Sequence, residues 1–233
     1  MKLKNKIAIF DFCETLTNFQ TADRFVNFIL KDNNCNNSVW VNTLNRLIYI
    51  MTLLRVFAIL NIIAPRLNLS KRILLLKLRG VSKEVIHAKA IDYLEKVINP
   101  RINRNILERL REYKRNGYLV FISSGGYEPY LNLFSKQEGI DKLFCTQIEF
   151  IKGKATGFIK GKDCMFINKV TLLEEYLKAN KITFEDSVVY SDSFSDLPLL
   201  KWANSAYVIS YNNSRSWVVK GGFNEIIIKD ESK

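Results

Sequence analysis

The chain has 233 residues, 48% of them hydrophobic and 25% charged, with 35 Lys and Arg against 23 Asp and Glu. That length and apolar content suit one catalytic domain carrying one insertion and exclude a disordered chain. The net charge of +12 points to anionic partners, whether a phosphorylated substrate, a membrane surface or nucleic acid.

Residues 7–10 form a short apolar, β-branched run that reads as a buried strand, and it delivers Asp11 to its C-terminal end. An aspartate held there is a candidate nucleophile, because open α/β sheets place their ligand crevice at that end. Residues 21–31 predict a helix with Thr21 as its N-cap, and residues 33–37 a polar turn. Leu44, Leu47, Ile48, Met51, Leu54 and Ala58 recur at helical spacing until Pro65 stops or kinks the helix. Ser70 caps a further helix that runs to Gly80, and Ser82 opens another that reaches about Val97 and is closed by Pro100. Strand and helix then alternate: helix 104–116, strand 118–123, helix 127–137, a hairpin over 146–159 with Gly153 and Gly157 near its middle, helix 169–180, and strands 187–190, 206–209 and 225–228. The alternation predicts an α/β fold, a doubly wound parallel sheet with right-handed crossovers.

Four short motifs fall in order on these elements. Asp11-Phe12-Cys13-Glu14-Thr15 after the first strand resembles the DxDxT motif of the haloacid dehalogenase (HAD) superfamily, with Cys13 in place of the second aspartate. Ser124-Gly125-Gly126 after the second strand resembles that family's second motif, Lys169 its third, and Ser191-Asp192 through Asp196 its fourth, with Ser191 where the family has glycine. Taken singly, Lys169 reads as a solvated helix residue and Ser124-Gly125-Gly126 as a turn; the order of all four gives them meaning. The spacing of the last three is similar to that of the phosphoserine-phosphatase-like branch. The resemblance implies a Rossmann-like catalytic core over residues 1–17 and 101–233, and a helical cap over 18–100 that covers the site and selects substrate.

It also implies Mg2+-dependent hydrolysis of a small phosphomonoester, free or attached to a lipid or sugar, through an aspartyl phosphate on Asp11. Asp11 and Asp192 would supply carboxylates to the metal and Cys13 its backbone carbonyl, with Asp196 orienting Lys169 or a water on the metal. Ser124 and Gly125 would hold the phosphoryl group, and Lys169 would neutralise charge on it and on Asp11. Cys13 is the departure with chemical consequences. The family's second aspartate protonates the leaving oxygen and activates water, help worth roughly 100- to 10,000-fold, and a thiol suits both tasks poorly. Three readings follow: a slow phosphatase, a phosphotransferase with a long-lived aspartyl phosphate, or a catalytically impaired HAD fold kept for binding or regulation.

The four cysteines lack CxxC or metal-ligand spacing and read as reduced thiols of a cytoplasmic protein, and the short first apolar run does not read as a secretory signal. Residues 33–83 contain no Asp or Glu yet hold eight Lys and Arg among the most apolar sequence of the chain. A spanning helix is disfavoured there because Arg46, Arg55 and Asn61 interrupt the run. Peripheral contact with an anionic membrane is the sharper reading and an ordinary cap helix pair the plainer one. Nucleic acid fits less well, since the basic residues interleave with aliphatics and no binding motif is present. His87, the only histidine, reads as a surface residue.

Overall fold

The structure, a computed structural model, describes residues 5–31, 43, 46, 47 and 68–229. Its strands are β1 (Asn5–Phe10), β2 (Leu119–Tyr127), β3 (Lys142–Ile151), β4 (Lys154–Lys160), β5 (Phe184–Ser191), β6 (Ser205–Tyr211) and β7 (Asn224–Ile228). They form one sheet in the order β4-β3-β2-β1-β5-β6-β7. The chain winds outward from β1 to β4, then crosses to the other side of β1 and winds outward again. The reversal opens a crevice beyond the C-terminal end of β1, flanked by β2 and β5.

The position of β1 explains its sequence. It pairs in parallel with β2 through Phe10↔Ile122 and with β5 through Phe10↔Tyr190. Successive side chains leave opposite faces, so Ala8 and Phe10 enter one apolar layer while Ile7 and Ile9 enter the other. With both faces covered, Ile7, Ala8, Ile9 and Phe10 are all buried, and the strand reads as a continuous apolar run rather than an alternating one.

The helices are α1 (Thr21–Leu30), α2 (Leu69–Leu76), α3 (Lys83–Tyr93), α4 (Arg104–Arg115), α5 (Glu128–Glu138), α6 (Ile167–Ala179), α7 (Leu197–Trp202) and α8 (Ser216–Gly221). Leu173 of α6, Leu199 of α7 and Val218 of α8 pack on the Ile7/Ile9 face. Leu110 of α4 and Phe134 of α5 pack on the Ala8/Phe10 face, in the same cluster as Phe25 of α1, Leu75 of α2 and Ile86 of α3. The helices inserted between the first two strands thus share the apolar core of the sheet.

The sequence expectations hold for the order of elements and need correction at two helices, α2 and α1. The expected hairpin is present: β4 runs antiparallel to β3 on an otherwise parallel sheet, and Lys152 and Gly153, both at positive φ, close the tight turn between them. Within β3 only residues 147–151 pair with β4, which agrees with the hairpin expected over 146–159; residues 142–146 pair in parallel with β2. The helix expected to run to Gly80 ends at Leu76, and its N-cap is Asn68 rather than Ser70. Four residues on, Gly80 at φ 87 donates its N–H to Ala155 O on β4, which turns the chain back onto the sheet edge. Gly157, at φ 86 in mid-strand, serves packing rather than a turn: a Cβ there would lie 2.9 Å from Leu76 Cα, so its absence lets α2 press onto β4. Finally, Gln20 rather than Thr21 is the N-cap of α1. Ser82 does cap α3, accepting the Val85 N–H at 3.3 Å. The turn expected at 33–37, with Cys35, and the helix of Leu44, Ile48, Met51, Leu54 and Ala58 with Pro65 lie outside the described residues. Among the described residues, no helix is long and apolar enough to cross a membrane.

Candidate active site

Three strand ends deliver the site. Asp11 is the residue after β1, and its N–H donates to Tyr190 O at 2.8 Å, fixing it to β5. Phe12–Leu16 then forms an irregular turn in which Cys13 is extended and Glu14 sits in the left-handed region at φ 53. A non-glycine residue held there stores local strain, a feature that concentrates at functional loops. The Thr17 N–H and hydroxyl both donate to Phe12 O, at 3.0 and 3.2 Å, and close the turn.

Lys169, in the first turn of α6, is 3% exposed and reaches back across the crevice. Its Nζ donates to Asp11 Oδ1 at 3.1 Å and to Asp196 Oδ2 at 2.5 Å. The Ser191 hydroxyl donates to the same Asp196 oxygen at 2.7 Å. Ser191 therefore puts a second donor on Asp196, which a glycine in its place could not. Asp192 lies at the end of β5, its Oδ1 accepting from Thr15 at 3.4 Å and its backbone carbonyl accepting from Arg215. Asp11, Cys13, Gly125, Lys169, Asp192 and Asp196 all line one cavity of about 260 Å³. Ser124 is fully buried behind it, with its Oγ accepting the Gly126 N–H at 3.2 Å and lying 3.9 Å from Cys13 Sγ. Gly126 must lack a side chain: a Cβ there would lie 2.6 Å from Tyr130 OH and 2.9 Å from Leu131 Cδ1.

The electrostatics show a site short of positive charge. Burial pushes the Asp11 carboxyl up to about 6, against the pull of Lys169 and helped by Asp196. Burial, then the Asp11 and Glu14 carboxylates, push Asp192 up to about 8. Burial alone would lower the Lys169 ammonium; Asp11 and Asp196 more than reverse this and hold it charged. At the strand-end side of the cavity the Lys169 ammonium thus faces the carboxylates of Asp11, Asp192 and Asp196, while Lys71, which also lines the cavity, is paired with Asp163. Among the described residues, no three His, Cys, Asp or Glu side chains form a ready metal cage. Asp196 is occupied with Lys169 and Ser191, and the Cys13 thiol with Thr21. This leaves the Asp11 and Asp192 carboxylates, hard oxygen donors in a negatively charged pocket, which suits a small divalent cation completing its shell with backbone, water and substrate oxygens.

Around Cys13 lies a hydrogen-bond chain that sequence reading missed. The Tyr127 N–H donates to Tyr130 OH at 3.0 Å, Tyr130 OH is 2.7 Å from Thr21 Oγ1, and Thr21 Oγ1 is 3.0 Å from Cys13 Sγ. Tyr130 OH and Thr21 Oγ1 thus link the Cys13 sulfur to the backbone at the start of α5. Burial first, and Asp11 second, push the Cys13 thiol up to about 11. Tyr127 and Tyr130 are buried packing residues and not lining ones, and His87 is exposed. The sequence signal that could have flagged Thr21 was its misread one: a hydroxyl at a helix start that is not the cap is free for another use.

The haloacid dehalogenase-like hydrolase family model matches residues 8–201. The chain belongs to that family. Phosphoserine phosphatase of Methanocaldococcus jannaschii is 29% identical over 203 residues, covering 87% of this chain and 84% of that protein. Phosphoserine phosphatase of Archaeoglobus fulgidus is 28% identical over 114 residues, 48% of this chain and 33% of the other. In structure, a Bordetella pertussis protein of unknown function superposes with a TM-score of 0.78 at 20% identity, covering 96% of this chain and 99% of that one. A substrate-bound phosphoserine phosphatase superposes with a TM-score of 0.64 at 21% identity, covering 97% and 94%. These superpositions establish the HAD fold for this member of the family.

Proposed function

We propose that this HAD-family phosphoric monoester hydrolase transfers the phosphoryl group of a small phosphomonoester to Asp11 and then to water, with Mg2+ as its cofactor. The observation that carries the reading is Asp11 itself, at the tip of the central strand, lining the cavity and bonded to the Lys169 ammonium. Lys169 holds the attacking carboxylate in its ionised form and lowers the repulsion between it and an incoming phosphate dianion. Asp196 and Ser191 hold Lys169 in place. Gly125 lines the cavity and the Ser124 hydroxyl is buried behind it, and we assign both to holding the phosphoryl group as charge develops on its oxygens. A bound Mg2+ would supply the positive charge that Asp11 and Asp192 lack. The cavity volume suits a compact substrate, and the relatives' activity makes O-phosphoserine the first compound to assay. Phosphate release from O-phosphoserine and a panel of sugar, lipid and aryl phosphomonoesters should require Mg2+; no turnover of any of them at millimolar Mg2+ would rule the reading out.

An anionic membrane surface is a second partner that the charge of the chain fits. Beside the acid-free stretch, the β3–β4 hairpin exposes Ile151 (61%) and Phe158 (57%) next to Lys154 and Lys160. The protein should float with vesicles rich in anionic lipid at low salt and not at high salt. Failure to float at low salt would exclude this partner.

A further inference from the structure

Lys71, on α2 of the inserted helices, is only 4% exposed yet lies at the seam between those helices and the sheet. Its Nζ donates to Asp163 Oδ1 at 2.5 Å and to Thr146 Oγ1 at 2.8 Å, and Asp163 is itself 9% exposed. The Thr146 hydroxyl has one proton and two acceptors within reach, Asp163 Oδ1 at 2.6 Å and Gly125 O at 3.2 Å. The Gly125 carbonyl belongs to the same peptide plane as the Gly126 N–H, and that N–H donates to Ser124 Oγ at 3.2 Å. A continuous set of contacts therefore runs from the cap through Thr146 and one peptide plane to the serine behind the phosphoryl site.

We propose that Lys71 is a positioning residue whose arrival on Asp163 turns the Thr146 proton onto the Gly125 carbonyl and so orients the Gly125–Gly126 peptide and Ser124 for phosphoryl binding. The physical reason is competition for one proton. A carboxylate without a cation draws a hydroxyl proton more strongly than a neutral carbonyl does, because charge-assisted hydrogen bonds are the stronger. Asp163 Oδ1 is the nearer acceptor, at 2.6 Å against 3.2 Å for Gly125 O; Lys71, by neutralising Asp163, weakens that claim on the proton and strengthens the carbonyl's. With the carbonyl held by Thr146 and the N–H held by Ser124, the peptide plane is fixed at both ends. Ser124, having accepted from Gly126, then offers its own proton toward the site. The seat of α2 on the sheet and the orientation of the phosphoryl loop are thereby coupled through Lys71. Asn68, the cap residue of α2, adds a second tie to the same seam through its Nδ2 on Met165 Sδ at 2.9 Å.

The inference rests on the phosphatase reading for its kinetic arm and on backbone exchange for an independent one. In Lys71→Met and in Thr146→Val, kcat should fall about 10- to 100-fold, the scale expected when a transition-state donor is misplaced, with KM changing less. Lys71→Arg should recover most of the loss. In the Thr146→Val background, Lys71→Met should cost little more, because both act through one proton. Adding Asp163→Asn to Lys71→Met should restore part of kcat, because the competing carboxylate is gone. Hydrogen exchange of the Gly126 amide should quicken in Lys71→Met and in Thr146→Val, and this readout stands even if no substrate is turned over. The proposal is overturned if Lys71→Met lowers the melting temperature but leaves both kcat and Gly126 exchange unchanged, or if the two single substitutions act additively.

Discussion

Asp11→Asn should reduce phosphate release by on the order of 10³-fold or more, because the amide keeps the shape of the side chain and removes the nucleophile. The same substitution should make the metal-free protein more stable, and the two effects together identify the group. Burial and neighbouring carboxylates hold the folded-state values of Asp11 at about 6 and of Asp192 at about 8, above the ordinary 3.8. With raised values, the native state keeps protons that the unfolded chain has already released. Stability from these two groups is therefore full below about pH 4 and is lost as pH rises through 6 and then 8. Asp11 is the second cause of the Asp192 shift, after burial, so Asn at 11 should flatten that loss. In the wild type, Mg2+ should raise the melting temperature more at pH 8 than at pH 6, since cation replaces proton. In Asp11→Asn, most of that Mg2+-dependent rise should vanish. Calorimetry at the two pH values, with and without Mg2+, reads all three outcomes. A variant that retains turnover, or a melting temperature blind to Mg2+ at pH 8, would remove Asp11 from its assigned role.

The trade between activity and stability seen at Asp11 is general to this crevice. The cluster of Asp11, Asp192 and Asp196 around Lys169 is destabilised in the absence of a cation, and it persists because the rest of the sheet fixes the strand ends that carry it. The buried residues 7–10 of β1 and the hydrogen bond from Asp11 N–H to Tyr190 O supply that support.

What could be read from the letters follows the same division. The order of strands and helices and the placement of Asp11, Lys169, Asp192 and Asp196 were legible because each lies within a few residues of a strand end or helix start, where local pattern speaks. Residues that matter through distant contacts were not. Lys71 looked like one more cation in a basic stretch, since only the fold brings it to Asp163, 92 positions away. Thr21 looked like a cap, and the Tyr130 hydroxyl that claims its oxygen lies 109 positions on. The β3–β4 hairpin was legible from its glycines, but Gly157 faces a helix that sequence spacing could not place against it. The metal assignment was legible in kind and not in detail, because the resemblance names four positions while the side chains commit Asp196 to Lys169 and the Cys13 thiol to Thr21.

Cys13→Asp should raise kcat by about 100-fold or more, within the range that a positioned acid-base group contributes. In the wild type, the thiol at position 13 is pushed up to about 11, by burial before Asp11, so at neutral pH it is protonated and cannot serve as the base that activates water. Its sulfur shares a hydrogen bond with the Thr21 hydroxyl at 3.0 Å, which holds the side chain beside the cavity in a place a carboxylate could occupy. Capture of phosphate by Asp11 needs chiefly Lys169 and the cation; its release to water needs the base. The wild type should therefore accumulate the aspartyl phosphate, and acid quenching during turnover should trap close to one phosphoryl group per chain, falling steeply in Cys13→Asp. A small alcohol added as acceptor should shorten the lifetime of that species if the protein is a phosphotransferase, and leave it unchanged if water is the only acceptor. The cost should appear in stability: a further buried carboxylate beside Asp11 and Asp192 should lower the melting temperature without Mg2+, more at pH 8 than at pH 6. A wild type that neither turns over nor traps phosphate, beside a Cys13→Asp variant that does both, would make the natural protein a binding or regulatory member of its family. Equal kcat in the two would mean that another group supplies the base or that a later step limits turnover.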